Sequence, residues 1–419
     1  MDDQPISQRV SAIAAAKPFG LLFEYFNEFD YAERRRPEVL DFTFGDPHEM
    51  PSRAYVDALA TSLEPGNELW FAYKQNEPPA REAAAASLRR VIDLPFEAED
   101  IHLTTGGFAA IALAMKTVAD TGDEVIYSLP PWFLYEALVL EAGLVPVKVG
   151  IDRVSFDLDI DAIAAAITPK TRLVIVCTPN NPTGRIYPPA TLERLATVLD
   201  EASARIGRRI YLLSDEPYQR IVYDGAAPVS PLQFYPSSFL AYSYGKTLLA
   251  PGQRMGYLAL PPTMPNRPAM RDAIQTLQFA TGYVFPNAVL QHALPRLEEL
   301  NFDIALFQRK RDRMVAALRE IGYRVNVPEG AFYLFPESPI PDDAAFATIL
   351  AEMGVLVLPG RLFETPGFFR ISLTATLETI EAGLPRFAEA FRITTVENGA
   401  VSPQPFHRAS QLKTKGLRQ

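Results

Sequence analysis

Lys246 stands in Ser243-Tyr244-Gly245-Lys246-Thr247, with Arg254 a short way downstream. The Ser243 hydroxyl and the planar donor fork of Arg254 are groups suited to holding a phosphate dianion. The preceding run, Phe239 to Tyr242, is apolar and reads as a strand. That puts the lysine on a turn at a sheet's carboxyl edge, where open α/β folds bind ligands. An amine there can form a Schiff base with an aldehyde once it is neutral, and burial beside other cations favours the neutral form. A single lysine on a turn is ordinarily only solvated, so this chemistry needs partners elsewhere in the chain.

Several partners are candidates. Asp215 closes the run Ile210-Tyr211-Leu212-Leu213-Ser214 and leads into Glu216-Pro217-Tyr218. A strand of that composition is buried on both faces, and a carboxylate at its end is costly unless it meets a cation, such as a protonated ring nitrogen. The run Leu173 to Cys177 ends in Thr178-Pro179-Asn180-Asn181-Pro182-Thr183-Gly184. Turn geometry explains most of that composition, and an amide aimed at a ligand is the additional claim. Thr104-Thr105-Gly106-Gly107-Phe108 carries a strand into the apolar helix Ala109 to Val118. Backbone N–H groups at such a helix start form an anion site, although paired glycines there often serve only sterics. Trp132 follows Pro130-Pro131 at another strand's end and can stack on a flat heterocycle or simply fill core.

The elements that carry these residues alternate. Strand-like runs at 101–104, 123–127, 144–149, 173–177, 210–214 and 239–242 are interleaved with helical ones, the signature of βαβ units and a mainly parallel sheet. Before them, apolar spacing from Val10 to Asp30 predicts a helical arm, and Val39 to Phe44 a short strand entering a turn at Gly45. After them comes a helical region, 288–322, then short strands at 325–327, 329–335, 355–360 and 369–373, with helices at 344–353 and up to about Phe391. That change of pattern predicts a smaller α+β domain. The expected division is an N-terminal arm over 1–44, a large domain over 45–290, a small domain over 291–395, and a flexible tail from 396 to 419, where Ser, Pro, Gln and Lys accumulate.

Whole-chain properties remove some classes. The 419 residues carry a formal charge of −10, which lacks the surplus Lys and Arg that a phosphate backbone needs, so no nucleic-acid partner is expected. One cysteine, Cys177, permits no internal disulfide and fits a reducing compartment. His48, His102, His292 and His407 have no metal-ligand spacing, so no metal is expected. The acidic start Met1-Asp2-Asp3 does not read as a signal peptide and no apolar run approaches membrane-spanning length. A cytoplasmic protein with no membrane partner is expected.

Taken in order, Asn181-Pro182-Thr183-Gly184, Asp215-Glu216-Pro217-Tyr218, Ser243-Tyr244-Gly245-Lys246, Arg254-Met255-Gly256-Tyr257 and Arg370-Ile371-Ser372 resemble the motifs of fold-type I pyridoxal-phosphate enzymes, specifically class I/II, aspartate aminotransferase-like aminotransferases. Gly330-Ala331-Phe332-Tyr333 reinforces the likeness, which spans about Gly45 to Phe391. The resemblance implies an α/β fold whose large domain has a mainly parallel seven-stranded sheet flanked by helices, beside a smaller α+β domain built from the N-terminal arm and the C-terminal part. The cofactor it implies is pyridoxal 5′-phosphate. Carried over residue by residue, Lys246 is the Schiff-base lysine and proton carrier, Asp215 the partner of the ring nitrogen, and Asn181 and Tyr218 the pair at the ring's 3′-oxygen. Trp132 is the stacking aromatic. Gly106, Gly107, the Phe108 N–H, Ser243 and Arg254 form the phosphate cup, with Tyr73 reaching the neighbouring subunit's phosphate. Arg370 grips the substrate α-carboxylate beside Asn181 and Trp132, and Gly45 lies in the substrate-covering loop.

The implied reaction passes an L-amino acid's amino group to a 2-oxo acid by way of a pyridoxamine form. The same aldehyde could instead serve a lyase, replacement or cyclising enzyme, because fold does not fix the bond that breaks. A third class, a regulator's ligand-sensing module, would need a basic DNA-reading segment before residue 40, which this sequence lacks. A homodimer with shared sites is implied, with 283–289 near its interface. Three positions depart from the family pattern. Gly245 replaces a common serine and would loosen its turn, the loop Gln75-Asn76-Glu77 is short, and Glu364 replaces a glycine on the substrate side.

Overall fold

The computed structural model describes residues 6–28, 32–227, 229–282 and 285–396. Tyr283, Val284 and the expected tail from residue 397 onward lie outside the described residues.

A seven-stranded sheet forms the centre: β1 (Ile101–Thr104), β2 (Glu124–Ser128), β3 (Val145–Val149), β4 (Thr171–Cys177), β5 (Tyr211–Asp215), β6 (Ser238–Ser243) and β7 (Gly256–Ala259). Their order across the sheet is β1-β7-β6-β5-β4-β2-β3. Only β7 runs against its neighbours, and every other pairing is parallel. The apolar runs of β4 to β6 serve two faces at once, because side chains alternate along a strand. Leu173, Ile175, Leu213 and Phe239 pack against Ala110 and Leu113 of the helix Gly107–Val118. Val174, Val176 and Leu212 pack against Leu192, Leu195 and Leu199 of the helix Pro189–Ile206. Fully burying one such aliphatic side chain contributes about 1.5–3 kcal/mol, so both layers are firmly seated.

The second unit is antiparallel. Tyr333–Leu334, Phe369–Ser372 and Leu358–Pro359 form a three-stranded sheet. Leu40–Asp41 pairs in parallel with Val355–Leu356, which joins the N-terminal part to the C-terminal part. Leu40 and Phe42 share a core with Leu318, Phe346, Ile371 and Phe387. The helix Ala288–Leu297, across which the expected division at residue 290 falls, packs Leu290 and Leu294 with Leu103 and Tyr242 of the large sheet.

Local departures from the sequence reading have local causes. The arm is two helices, Gln8–Ala15 and Lys17–Glu28, rather than one. Ala16 between them is extended, with Pro18 opening the second helix, where a proline is tolerated. The region 288–322 likewise splits, and Asp303 starts the second helix, Ile304–Ile321, by accepting from the Leu306 N–H. Residues 325–327 form no strand. The last helix runs on to Val396, past the expected end at Phe391.

One turn ties the two units together. Gly184 takes φ +72°, and its carbonyl accepts from the Glu329 and Gly330 N–H groups at 2.9 and 3.0 Å. A Cβ there would sit 2.2 Å from the Pro328 Cβ. Gly184→Ala is therefore expected to lower stability by about 2–4 kcal/mol through left-handed strain and overpacking. Urea unfolding of the purified variant checks this, and an unchanged midpoint would refute the role of the turn.

Candidate active site

Parallel pairing of β4, β5 and β6 decides which residues meet. Cys177 is in register with Asp215, and Asp215 with Ala241, so the three carboxyl ends lie side by side. The loop after β4 brings Asn181, β5 itself ends in Asp215, and the short helix Tyr244–Thr247 after β6 presents Lys246. Reversal of β7 brings its beginning to the same edge: Gly256 is in register with both Ser243 and Thr104. Arg254, just before β7, thereby arrives beside Gly106 and Gly107, just after β1.

A cavity of about 410 Å³ opens at this edge. Of the residues predicted from sequence, its lining includes Gly45, Gly107, Phe108, Trp132, Asn181, Asp215, Tyr218, Ser243, Lys246, Arg254 and Arg370. Gly106 lies behind Arg254: at φ +92°, a Cβ on it would come within 2.9 Å of the guanidinium Nη2. Arg254 is itself left-handed, φ +36°, and its Nη1 donates to the Pro251 carbonyl at 2.8 Å. Glycine at 106 thus leaves room for the arginine fork above the start of the helix Gly107–Val118, whose first N–H groups have no partner within the helix.

Two buried charges face this cavity. Asp215 is 5% exposed, and its carboxylate accepts from the Tyr135 hydroxyl at 2.5 Å. Burial pushes its pKa up to about 7, against the opposing effects of the Tyr135 hydrogen bond and of Lys246. Arg370 is 2% exposed. Its Nη1 donates to Asn181 Oδ1 at 2.9 Å and its Nη2 to the Thr43 carbonyl at 2.7 Å, while Nε has no partner. The guanidinium lies 4.1 Å over the Tyr333 ring, and burial draws its pKa down. Neutral acceptors and a ring satisfy its geometry but not its charge, so an anion is the missing partner.

Other predicted residues are arranged around these. The Tyr218 hydroxyl lies 3.4 Å from that of Tyr333, and Trp132 meets Phe108 and Tyr135 edge-on, at 5.2 and 5.6 Å between ring centres. Gly45 is packed so closely that a Cβ would lie 2.5 Å from the Tyr333 hydroxyl. Tyr73 is not among the lining residues and is fully exposed. The short loop after it is held by Asn76, whose amide donates to Gln278 and accepts from the Leu103 N–H at 2.7 Å.

Two readings are corrected. Gly245 tightens its turn rather than loosening it, because a Cβ there would be 2.9 Å from the Pro251 Cα. Glu364 does not reach the cavity: it occupies a left-handed position, φ +52°, and its carboxylate binds Lys148 at 2.6 Å. Sequence reasoning missed Tyr135, Thr43 and Tyr333. Tyr135 follows Trp132 by three residues and opens the helix Tyr135–Glu141, and Tyr333 ends the run Gly330-Ala331-Phe332-Tyr333. Thr43 acts through its carbonyl, which no side-chain pattern reveals.

The family described as aminotransferase class I and II matches residues 37–387. An aspartate/prephenate aminotransferase of Thermus thermophilus is 32% identical over 365 residues, covering 85% of this chain and 91% of the relative. Among solved structures, an aminotransferase of Eubacterium rectale superimposes with TM-score 0.84 at 28% identity, covering 93% of this chain and 99% of that one. A Thermus thermophilus aspartate aminotransferase with maleate gives TM-score 0.80 at 28% identity, covering 92% and 99%. Fold, order of motifs and extent of match agree, and the chain belongs to the class I and II aminotransferase family.

Proposed function

We propose that the chain transfers the amino group of an L-amino acid to a 2-oxo acid, using pyridoxal 5′-phosphate held at the cavity. The observation that carries this reading is the meeting of Lys246, Asp215 and Arg370 in one cavity, two of them buried groups that form no ion pair among the described residues. The residues fit the cofactor: a carboxylate that needs a cation, a glycine-backed arginine fork and a helix start that suit a phosphate. When bound, pyridoxal phosphate supplies an aldehyde for an amine and a protonated ring that draws electrons from the substrate's α-carbon.

Each side chain then has a task. The Lys246 amine anchors the aldehyde and carries the proton that leaves the α-carbon. Asp215 holds the positive charge on the ring nitrogen, and Tyr135 keeps that carboxylate oriented. Asn181 and Tyr218 bind the ring oxygen, and Trp132 covers the ring face. Ser243, Arg254 and the N–H groups of Gly107 and Phe108 hold the phosphate, while the Gly106 N–H already donates to the Thr104 carbonyl at 2.8 Å and Gly106 serves by leaving room for Arg254. Arg370 grips the α-carboxylate, fixing the orientation of the Cα–H bond, while the loop at Gly45 closes over it. A clamped carboxylate is poorly placed to leave, which favours transfer over decarboxylation.

Two chains complete the assembly in this reading. Leu69, Phe71, Tyr73 and Phe279 are apolar and more than half exposed, as expected of a homodimer face through which Tyr73 enters the partner's phosphate site. Light scattering at micromolar concentration is expected to give twice the chain mass. Tyr73→Phe should weaken retention of the cofactor about tenfold, the equivalent of one lost hydrogen bond to a charged group, measured by equilibrium dialysis.

Lys246→Ala should still bind the cofactor yet lack the visible band of the lysine-linked aldehyde and transfer no amino groups; retained turnover would overturn the assignment. The raised pKa of Asp215 sets a pH signature for the cofactor-free protein. The folded state holds this proton up to about pH 7, whereas the unfolded chain releases it near its ordinary value of 3.8. Stability from this group is therefore complete below that value and declines as pH rises to about 7. Cofactor-free Asp215→Asn should exceed the wild type in stability by roughly 2–4 kcal/mol at pH 8, with the gap closing towards pH 4, as thermal unfolding at both values will show.

A further inference from the structure

We infer that the side-chain end of the cavity takes an aromatic or large aliphatic group, so that the amino acids handled are apolar rather than dicarboxylic or basic. This rests on the aminotransferase reading above. Four cationic side chains line the cavity among the described residues: Arg34, Lys246, Arg254 and Arg370. Cofactor and α-carboxylate engage the last three, which leaves Arg34.

Arg34 already has a carboxylate beside it, although its Nε is buried with no partner among the described residues. Its Nη1 donates to Asp41 Oδ2 and to Thr43 Oγ1, each at 3.3 Å, and its guanidinium lies 4.9 Å over the Phe44 ring. Asp41 is fixed in turn by the Thr43 N–H at 2.9 Å, so it cannot move aside without a second loss. Asp46 adds a further carboxylate to the lining. A second substrate carboxylate would meet one paired arginine and one like charge, an arrangement in which desolvation outweighs attraction. A basic side chain would find Asp46, but within walls that offer its charged head little else.

Those walls are apolar. Leu22 and Phe26 lie one turn apart on the helix Lys17–Glu28, and both face the cavity together with Phe44. Phe26 stacks on Phe44 with ring centres 5.3 Å apart and planes 11° from parallel. Phe108 and Ile111, also one turn apart, come from the start of the helix Gly107–Val118. Phe26 and Phe108 remain 41% and 39% exposed, so two large rings at the cavity still have surface that a ligand would cover. An apolar side chain removes that surface from water, and a stacked ring adds directional contact.

The test uses holoenzyme mixed in single turnover with phenylalanine, leucine, alanine, aspartate or lysine, following the cofactor's visible band. Calorimetric binding of hydrocinnamate and succinate, which cannot react, runs alongside. Phenylalanine and leucine are expected to react about 100-fold faster per unit concentration than aspartate or lysine, the scale set by an unpaired buried charge. Hydrocinnamate should bind at least about tenfold tighter than succinate. Phe26→Ala should slow phenylalanine about tenfold while leaving alanine, whose methyl group does not reach the ring, within about twofold. Aspartate or lysine outrunning phenylalanine, or Phe26→Ala slowing phenylalanine and alanine alike, overturns the inference and leaves the transferase reading standing. Bound cofactor that reacts with none of the five overturns both.

Discussion

The ladder that sets β4, β5 and β6 edge to edge is the constraint from which the site follows. Parallel pairing places equivalent ends of neighbouring strands within one strand spacing of each other. Here it makes neighbours of an amide, a carboxylate and an amine that lie far apart in sequence: Asn181, Asp215 and Lys246. The reversed β7 extends the same logic, since an antiparallel strand inserted next to β6 delivers its beginning, and with it Arg254, to the edge where the others finish. Nothing in those side chains would bring them together without the backbone register beneath.

A second consequence concerns charge. The fold buries a carboxylate and a guanidinium without pairing them with each other, and the side-chain contacts of each are with neutral groups: a tyrosine hydroxyl for Asp215, an amide, a carbonyl and an aromatic face for Arg370. Neutral partners fix direction while leaving the electrostatic demand unmet. A cavity built this way leaves a demand for positive charge at Asp215 and one for negative charge at Arg370. The raised pKa of Asp215 and the lowered one of Arg370 record the same strain from its two sides.

Much of this was legible in the sequence, because strand runs, their terminal polar residues and the glycine pair all sit in local patterns. Six of the seven strands were readable on those grounds, whereas the seventh, Gly256–Ala259, and the gathering of eleven predicted residues at the cavity were expected only from the resemblance of the ordered motifs. What was not legible has three physical origins. Backbone groups such as the Thr43 carbonyl carry no residue signature. Contacts between distant segments, such as Glu364 with Lys148, depend on packing that local pattern does not encode. Close approaches such as that of Gly245 to Pro251 turn an expected loosening into a tight fit, and only coordinates reveal them. Helix ends fell within a few residues of expectation, since caps and prolines mark them imperfectly.

The pairing of Leu40–Asp41 with Val355–Leu356 also has a temporal meaning. All seven strands of the large sheet are present once the chain has been made to Ala259, whereas the smaller unit needs residues from both ends of the chain. During synthesis its N-terminal strand must therefore wait, unpaired, while most of the polypeptide emerges. The hydrogen bond between Thr43 and Arg370 joins segments 327 residues apart and cannot form before residue 370 has been made. In a growing chain the turn that carries Lys246 is synthesised well before Arg370, so the cavity cannot be complete until the C-terminal unit has been made.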